Sequence, residues 1–451
     1  MLLFHIVQKQ EQKQRSLQKT DTAKIKDKSI NAKYIDVLDG IRALSVIIVL
    51  LFHFWQQTWI FPRINTPFLS WLGINAIDFS SFARVGYLFV DAMILLSGFL
   101  LFLPVARQIF MGEELPPWKQ FVKKRIARIL PSYLSCILIL FIIELARGGY
   151  PNAGAAALDL VTHLTFTQTL FPSSYLYTHL NGVLWTVAIE VWFYVLFPFI
   201  AMFIKRRTEK ENSVQAALTR VLTVYIVMNL ISWLYINKFV LKNTDNLPMT
   251  INQLPAFFGV YANGMAAAMI YTAISKNFKR SLPFDLTNTA LCIISLLGII
   301  KLVNSCVSLG KLPLQQAWQV EQRFVLSLAF TGFILSSALS VKPLRWLLGN
   351  RFMKFLSGIS FNLYIWHQWL AVQFKNTWRI PAWSGNTPPN MLNDRVWMWK
   401  YAAVITVAAF AAAIVATYLI EKPCSNLILG KPGFKLKART KTKAKTNKKV
   451  S

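Results

Sequence analysis

Four ionisable side chains lie inside long apolar stretches of the chain, and their types suit acid–base chemistry. They are two imidazoles and two carboxylates: His53, His367, Asp91 and Glu190. An imidazole beside a carboxylate is the usual arrangement for general-base catalysis, because the carboxylate fixes the tautomer and stabilises the imidazolium. Ionisable groups are costly in hydrocarbon, so these four predict a functional site and are assigned as its catalytic residues.

A second set of polar residues lies at the ends of apolar stretches, and Arg42 has the clearest role among them. Arg42 and His53 are eleven positions apart, so a helix places them on one face, ~16 Å apart along its axis. The planar, permanently charged guanidinium suits bidentate recognition of phosphate. This geometry predicts a channel with an anion-binding mouth and a base further in. The residues assigned to the mouth are Asp39, Arg42, Arg125, Arg128 and Glu421.

The elements that must position these residues are membrane-spanning helices. Hydrophobic residues make up 55% of the 451 and charged residues only 15%, which excludes an ordinary soluble domain. Apolar segments of about 20 residues, the length that crosses a bilayer, recur along the chain. They predict an all-α integral membrane protein, a bundle of about ten transmembrane helices. The predicted spans are 41–61, 85–105, 129–146, 184–204, 218–240, 254–275, 287–306, 323–340, 355–376 and 399–420.

The distribution of Lys and Arg orients these helices. Every second connection is basic, as at residues 205–207, and the connections between them are poorer in Lys and Arg. The positive-inside rule therefore places both termini in the cytoplasm. At 1.5 Å per residue, His53, Asp91, Glu190 and His367 then all lie about 18 to 21 Å above the cytoplasmic boundary. One such residue alone could be a helix-to-helix hydrogen bond worth ~1 kcal/mol, but four at one depth favour a site.

The rest of the chain is assigned by composition. Residues 1–35 predict a mobile basic cytoplasmic tail, 36–423 the transmembrane domain, and 424–451 a polybasic cytoplasmic tail that contacts anionic lipid. The net charge of +30 belongs to tails and connections, so nucleic acid is not an expected partner. The four cysteines have no metal-binding spacing, and no metal is expected. Residues 157–171 are short for a span and predict an outer loop or an interfacial helix.

Six short stretches of the membrane region carry a resemblance to a known family. The first is LDGIRALSVIIVLLFH, in which ten residues separate Arg42 from His53. FVKKRIARILPSY contains the paired arginines Arg125 and Arg128, and LWTVAIEVWFYVLFP contains Glu190. The other three are FVDAMILLSGFL at 89–100, GISFNLYIWHQW at 358–369 and YLIEKP at 418–423. In chain order, the six stretches resemble the motifs of the acyltransferase 3 family of polytopic membrane acyltransferases.

The resemblance implies transfer of an acyl group, most often acetyl, from cytoplasmic acyl-CoA to a hydroxyl of a cell-surface or lipid-linked glycan. The CoA phosphates would meet the mouth arginines, and Glu190 or Asp91 would orient His53. The protein would be a multi-pass protein of the cell membrane, with membrane lipids around it. One departure is that Val191 and Trp192 follow Glu190 where the family often has Glu and Gln, which indicates a different acceptor.

Several alternatives stay open. His53 acts either as a general base or as a transient carrier of the acyl group. A secondary transporter would use the same buried side chains as a proton relay, although the sequence lacks paired interrupted helices in two matching halves. An acyltransferase whose acceptor remains cytoplasmic is a third reading. Some bacterial members of the family carry an added extracytoplasmic esterase-like domain, and the short basic tail predicts none here.

Overall fold

The protein folds as a helical bundle, as the sequence predicts. The residues described by the computed structural model are 30, 34–72, 75–211, 214–243 and 246–431. Most of the two predicted tails therefore lies outside the described residues. Within the described part, the one sheet is a hairpin in which β1 (Arg63–Asn65) pairs antiparallel with β2 (Ala76–Asp78). All other regular structure there is helical.

The helices of the described part follow one another along the chain. In chain order they are α1 Val37–Thr58, α2 Ser80–Val85, α3 Phe89–Met111, α4 Trp118–Ala146, α5 Ala153–Leu164, α6 Pro172–Tyr175, α7 Trp185–Glu211, α8 Val214–Tyr235, α9 Leu247–Thr250, α10 Leu254–Asn277, α11 Leu282–Ser308, α12 Leu312–Glu321, α13 Arg323–Leu339, α14 Lys342–Gly349, α15 Arg351–Val372, α16 Arg395–Val415 and α17 Lys422–Leu429. Three π-helical segments extend α8, α15 and α16: Ile236–Val240, Gln373–Thr377 and Ala416–Glu421.

The starts of several long helices carry capping residues that satisfy free backbone N–H groups. Ser281 caps α11 through its hydroxyl, which accepts from the N–H of Phe284 at 3.3 Å. The Asn350 side chain accepts from the N–H of Met353 at 3.0 Å and so begins α15. Asp394 caps α16 in the same way. These polar residues fix where the apolar segments begin.

Eight helices in the described part are long and apolar enough to cross a membrane, and a ninth crosses if the bent pair α12 and α13, 64° apart, forms one span. The remaining predicted span, 355–376, is the ninth along the chain and corresponds to α15, which has the right length but a more polar composition. Its polar residues are buried against other helices: Asn362 donates to Thr417 at 2.9 Å, and Ser357 donates to Asp39 at 2.8 Å. Because α15 is enclosed by protein, it does not need a lipid-like surface. The cytoplasmic placement of the termini stays a prediction.

Small residues let α3 and α10 pack at backbone distance. A Cβ at Gly98 would lie 2.7 Å from the carbonyl oxygen of Tyr261, and a Cβ at Gly264 would overlap the carbonyl oxygen of Leu95. Larger side chains at either glycine would therefore separate the two helices. This contact holds α3, which carries Asp91, against the centre of the bundle.

The segment 157–171 forms the end of α5 and the turn after it. α5 has 12 residues, a length of about 18 Å, so it is too short to cross a roughly 30 Å core. The buried Asp159 side chain holds it to the following loop, accepting hydrogen bonds from Thr178 Oγ1 at 2.9 Å and from the N–H of His179 at 3.1 Å. The sequence prediction that this segment does not cross the membrane agrees with the length of α5.

Candidate active site

Two histidines predicted to share one depth are in contact inside the bundle. The ring centroids of His53 on α1 and His367 on α15 are 5.0 Å apart, with the rings tilted by 53°. The two helices are also joined near their other ends by the hydrogen bond from Ser357 to Asp39. Packing of α1 against α15 therefore fixes the separation of the two imidazoles.

The hydrogen bonds of His367 determine which of its nitrogens carries the proton. Nδ1 lies 2.7 Å from the carbonyl oxygen of Tyr364 and 3.1 Å from that of Leu363. Carbonyl oxygens only accept, so Nδ1 is the protonated nitrogen and Nε2 of the neutral ring carries a lone pair. The side chain is fully buried, and Nε2 has no hydrogen-bond partner among the described residues. His367 therefore presents an unused proton acceptor inside the bundle.

His53 is held by an amide. Its Nδ1 lies 2.9 Å from Oε1 of Gln56, one turn further along α1. This differs from the expectation that Glu190 or Asp91 orients the ring, because both carboxylates have other partners. An amide offers both a donor and an acceptor, so Gln56 holds the ring without fixing its protonation state.

The carboxylate of Glu190 on α7 has two hydroxyl donors. Ser97 Oγ on α3 donates to Oε1 at 2.6 Å, and the phenol of Tyr194, one turn along α7, donates to the same oxygen. The other oxygen has no hydrogen bond among the described residues, and the side chain is only half-buried. Glu190 thus keeps one carboxylate oxygen without a hydrogen bond to the described residues.

Arg42 has no hydrogen bond or ion pair with any side chain that the structure describes. Arg42 lies close enough to Glu190, Asp39 and Arg128 for their charges to interact, favourably with the two carboxylates and unfavourably with the other guanidinium. Asp39 is engaged elsewhere, accepting from Ser357 and from the phenol of Tyr34 at 2.6 Å. That hydrogen bond raises the pKa of Tyr34, which lies before α1, to about 12. The Arg42 guanidinium is therefore positioned by its surroundings yet unpaired.

The remaining mouth residues form two arrangements near Arg42. Arg125 lies over the ring of Tyr194, with Cζ 5.3 Å from the ring centroid. Arg128 pairs with Glu421 at 2.7 Å, and Glu421 also accepts from Asn362 at 2.7 Å. The Arg128 side chain is 39% exposed, whereas Glu421 is 6% exposed. Glu421 therefore orients Arg128, whose side chain remains partly exposed and accessible to a ligand.

Asp91 pairs with a residue that the sequence reading did not single out. Its Oδ2 lies 3.2 Å from Nε of Arg323, the first residue of α13, and both side chains are at least 98% buried. Arg323 also donates to the carbonyl oxygen of Ile251 at 3.0 Å and lies 4.1 Å over the ring of Phe257. The sequence predicts a catalytic role for Asp91, whereas this ion pair indicates a structural role. Replacing both Asp91 and Arg323 distinguishes the two roles.

The residues that sequence reasoning missed are those that hold the predicted ones: Gln56, Ser97, Tyr194, Arg323 and Asn362. Gln56 and Tyr194 carry a weak signal, since each lies one helical turn from a predicted site residue. Arg323 and Asn362 contact partners more than 50 positions away, and sequence spacing gives no sign of that pairing. In the part of the chain that the structure describes, no three His, Cys, Asp or Glu side chains are placed to hold a metal ion.

Comparison with known proteins identifies relatives of this chain. The chain is 24% identical over 439 residues to O-acetyltransferase OatA of Staphylococcus aureus, covering 91% of this chain and 59% of that protein. It is 24% identical over 408 residues to peptidoglycan O-acetyltransferase OatA of Listeria monocytogenes, covering 87% of this chain and 56% of that one. The chain thus spans less than two thirds of the length of these relatives. No solved structure is significantly similar to it.

The family assignment covers the whole helical bundle. Residues 35–421 match the model of the acyltransferase domain, from the residue before Asp36 to Glu421 at the end of the last π segment. The matched region contains every predicted site residue and all the candidate membrane spans except the end of the last helix. The chain is a multi-pass membrane protein of the acyltransferase 3 family.

Proposed function

We propose that this protein is a membrane O-acyltransferase that moves an acetyl group from acyl-CoA to a hydroxyl of a cell-surface or lipid-linked glycan. The observation that carries the proposal is the contact between the rings of His53 and His367. His53 lies on the same face of α1 as Arg42, which has no side-chain partner among the described residues. Family membership supports acyl transfer, and the names of the relatives support an acetyl group and a glycan. The membrane is the cell membrane.

The donor enters at the Arg42 end of α1. Arg42, Arg125 and Arg128 supply permanent positive charge around one space, and charge-assisted hydrogen bonds to phosphate are the strongest class available there. The phosphates of acyl-CoA bind at these arginines, from the predicted cytoplasmic side. The thioester then extends along α1 for the ~16 Å that separates Arg42 from His53.

The transfer step needs a base for the acceptor hydroxyl, and His53 supplies it. The acceptor oxygen attacks the thioester carbonyl carbon while His53 takes the hydroxyl proton. The carbon–sulfur bond breaks, the CoA thiolate leaves, and the imidazolium returns the proton to sulfur. His367, with its Nε2 lone pair directed into the bundle and its ring against His53, stabilises the imidazolium during the step. The products are the O-acetyl ester and free CoA.

The acceptor is a glycan hydroxyl that reaches the histidines from the end of the bundle opposite the arginines. The Listeria relative is named for peptidoglycan, and we propose the same class of polymer or its lipid-linked precursor here. The relatives are longer than this chain, so the proposal concerns transfer within the membrane domain.

The test uses membranes containing the full chain, labelled acetyl-CoA and extracted glycans. Label should move to glycan in the native protein and in His179→Ala, a control histidine exposed in the loop after α6. It should not move in His53→Ala, while acetyl-CoA still binds. Label transfer by a well-folded His53→Ala protein would overturn the mechanism. Absence of acetyl-CoA binding, together with proton flux that depends on His53, would indicate the secondary transporter instead.

A further inference from the structure

A cavity of about 470 Å³ lies away from the two histidines, between α8, α10 and the bent pair α12 and α13. Its lining combines long apolar side chains with a few polar ones. The lining residues on α8 and the segment after it run from Asn229 to Leu241, so at 1.5 Å per residue the cavity extends for about 18 Å along the helix. A volume of this shape suits a long, narrow ligand.

The sides of the cavity belong to the lipid-facing surface of the bundle. Trp233, Phe324 and Val325 line it and are themselves exposed, so they face hydrocarbon in the membrane. α8 with its π-helical extension is the most outward-facing of the candidate spans, because only 17% of its most apolar segment is buried. A ligand that enters sideways from the bilayer therefore meets these apolar side chains first, and Glu321 is the one acidic residue that the structure describes in the lining.

Gly259 of α10 leaves the floor of the cavity open. A Cβ at this position would lie 3.0 Å from Oδ1 of Asn229 and 3.7 Å from Oγ of Ser232, both of which line the cavity. These two side chains are already engaged with carbonyl oxygens, Asn229 with that of Tyr225 and Ser232 with that of Ala256. The floor is thus compatible with an acyl chain.

One cavity-lining residue has a hydrogen-bonding group without a partner. Arg323 is 2% exposed, and its Nε and Nη1 are used by Asp91 and by the carbonyl oxygens of Ile251 and Ala256. Its Nη2 has no partner in the part of the chain that the structure describes. A buried donor left unsatisfied is destabilising, and the cavity is the open space beside this residue. An acceptor oxygen at the cavity wall would complete the guanidinium's hydrogen bonds.

We propose that this cavity binds a glycerophospholipid. The acyl chain fills the apolar length along α8, and an ester or phosphate oxygen accepts a hydrogen bond from Nη2 of Arg323. Arg323 begins α13, directly after the 64° bend, and it is the first residue of the predicted span 323–340, so the proposal places its guanidinium at the headgroup end of that span. The site is separate from the proposed transfer site and does not depend on it.

The test uses the full chain in lipid nanodiscs that contain a phospholipid with a diazirine in its acyl chain. After illumination, lipid adducts are mapped by mass spectrometry. We expect them to concentrate on the α8 and α10 residues that line the cavity. Filling the cavity with Gly259→Leu should lower these adducts about tenfold, equivalent to ~1.4 kcal/mol of binding. Val325→Trp, at the rim, gives a second variant that leaves the α8 and α10 contact unchanged.

The matched control is Leu328→Trp, on the same helix as Val325. Leu328 is 44% exposed and Val325 is 47% exposed, but only Val325 lines the cavity. Leu328→Trp should leave the adduct pattern unchanged. Adducts spread evenly over all lipid-facing residues, or retained in both filled variants, would overturn the proposal. Displacement of the phospholipid by a polyprenyl-linked saccharide at low molar ratio would overturn the choice of occupant.

Discussion

Replacement of Asp91 tests whether this carboxylate acts in the chemistry or in the fold. The substitution Asp91→Asn removes the charge that faces Arg323 at 3.2 Å and leaves a guanidinium with only neutral partners at a position 2% exposed. Breaking a buried ion pair from one side destabilises a protein by about 3–5 kcal/mol. The Asn side chain still accepts a hydrogen bond, and Ile251 and Phe257 still contact Arg323, so we expect the lower end, ~3 kcal/mol.

The partner variant makes the prediction specific. Arg323→Gln alone leaves Asp91 buried and charged, and we expect a loss of similar size, ~3 kcal/mol. The double variant, Asp91→Asn with Arg323→Gln, removes both charges and keeps an amide that can donate to its neighbours. It should recover about 2 kcal/mol of the summed losses, as a coupling energy between residues in contact.

The assay combines unfolding in detergent with label transfer from acetyl-CoA. If Asp91 acts through the fold, the double variant regains both stability and most of its transfer rate. The reasoning fails if Asp91→Asn is as stable as the native protein but inactive. It also fails if the double variant is stable, binds acetyl-CoA and still transfers no label, since the carboxylate itself would then be required.

Three further substitutions test the mouth and its surroundings. Arg42→Lys keeps the charge but loses the bidentate fork, so acetyl-CoA affinity measured by calorimetry should fall about tenfold, and unchanged affinity would make Arg42 a membrane anchor. Tyr194→Phe removes a hydrogen bond to Glu190 worth ~1.5 kcal/mol, so the free energy of unfolding measured in detergent should fall by about that amount; unchanged stability would contradict this hydrogen bond. Because the pKa of Tyr34 is raised to about 12, its bond to Asp39 stabilises the protein below pH 10 and is lost as the pH rises towards 12. Unfolding measured across this range should show less alkaline destabilisation in Tyr34→Phe, and identical profiles would contradict the contact.

The sequence predicts the helical class and the shared depth of the two histidines because both follow from one period. An α-helix rises 1.5 Å per residue, so the position of a residue within a span gives its depth. That arithmetic puts His53 and His367 at one depth, and in the structure their rings are in contact. The same arithmetic does not give the direction in which a side chain points around its helix. Asp91, predicted at the same depth, therefore could not be predicted to face Arg323 rather than the histidines.

Pairing across distant parts of the chain escapes the same reasoning. The sequence predicts Arg128 and Glu421 at one membrane boundary. It does not predict the 2.7 Å ion pair between them, because they are 293 positions apart in the chain. The span 355–376 is predicted from the sequence, and the structure shows how its polar residues are accommodated. They lie among protein side chains, where Asn362 donates a hydrogen bond to Thr417 and Ser357 donates one to Asp39.

The most direct test of the account is a kinetic comparison of His53→Ala and His367→Ala with the native protein in proteoliposomes. Acetyl transfer to the glycan gives kcat, and calorimetry gives the Kd for acetyl-CoA. We expect kcat to fall about 10²- to 10⁴-fold in His53→Ala, the usual contribution of a general base, and less steeply in His367→Ala, with both Kd values unchanged because the donor phosphates bind at the arginines. Native transfer rates in either folded variant, or a loss confined to Kd, would contradict a transfer site at the two histidines.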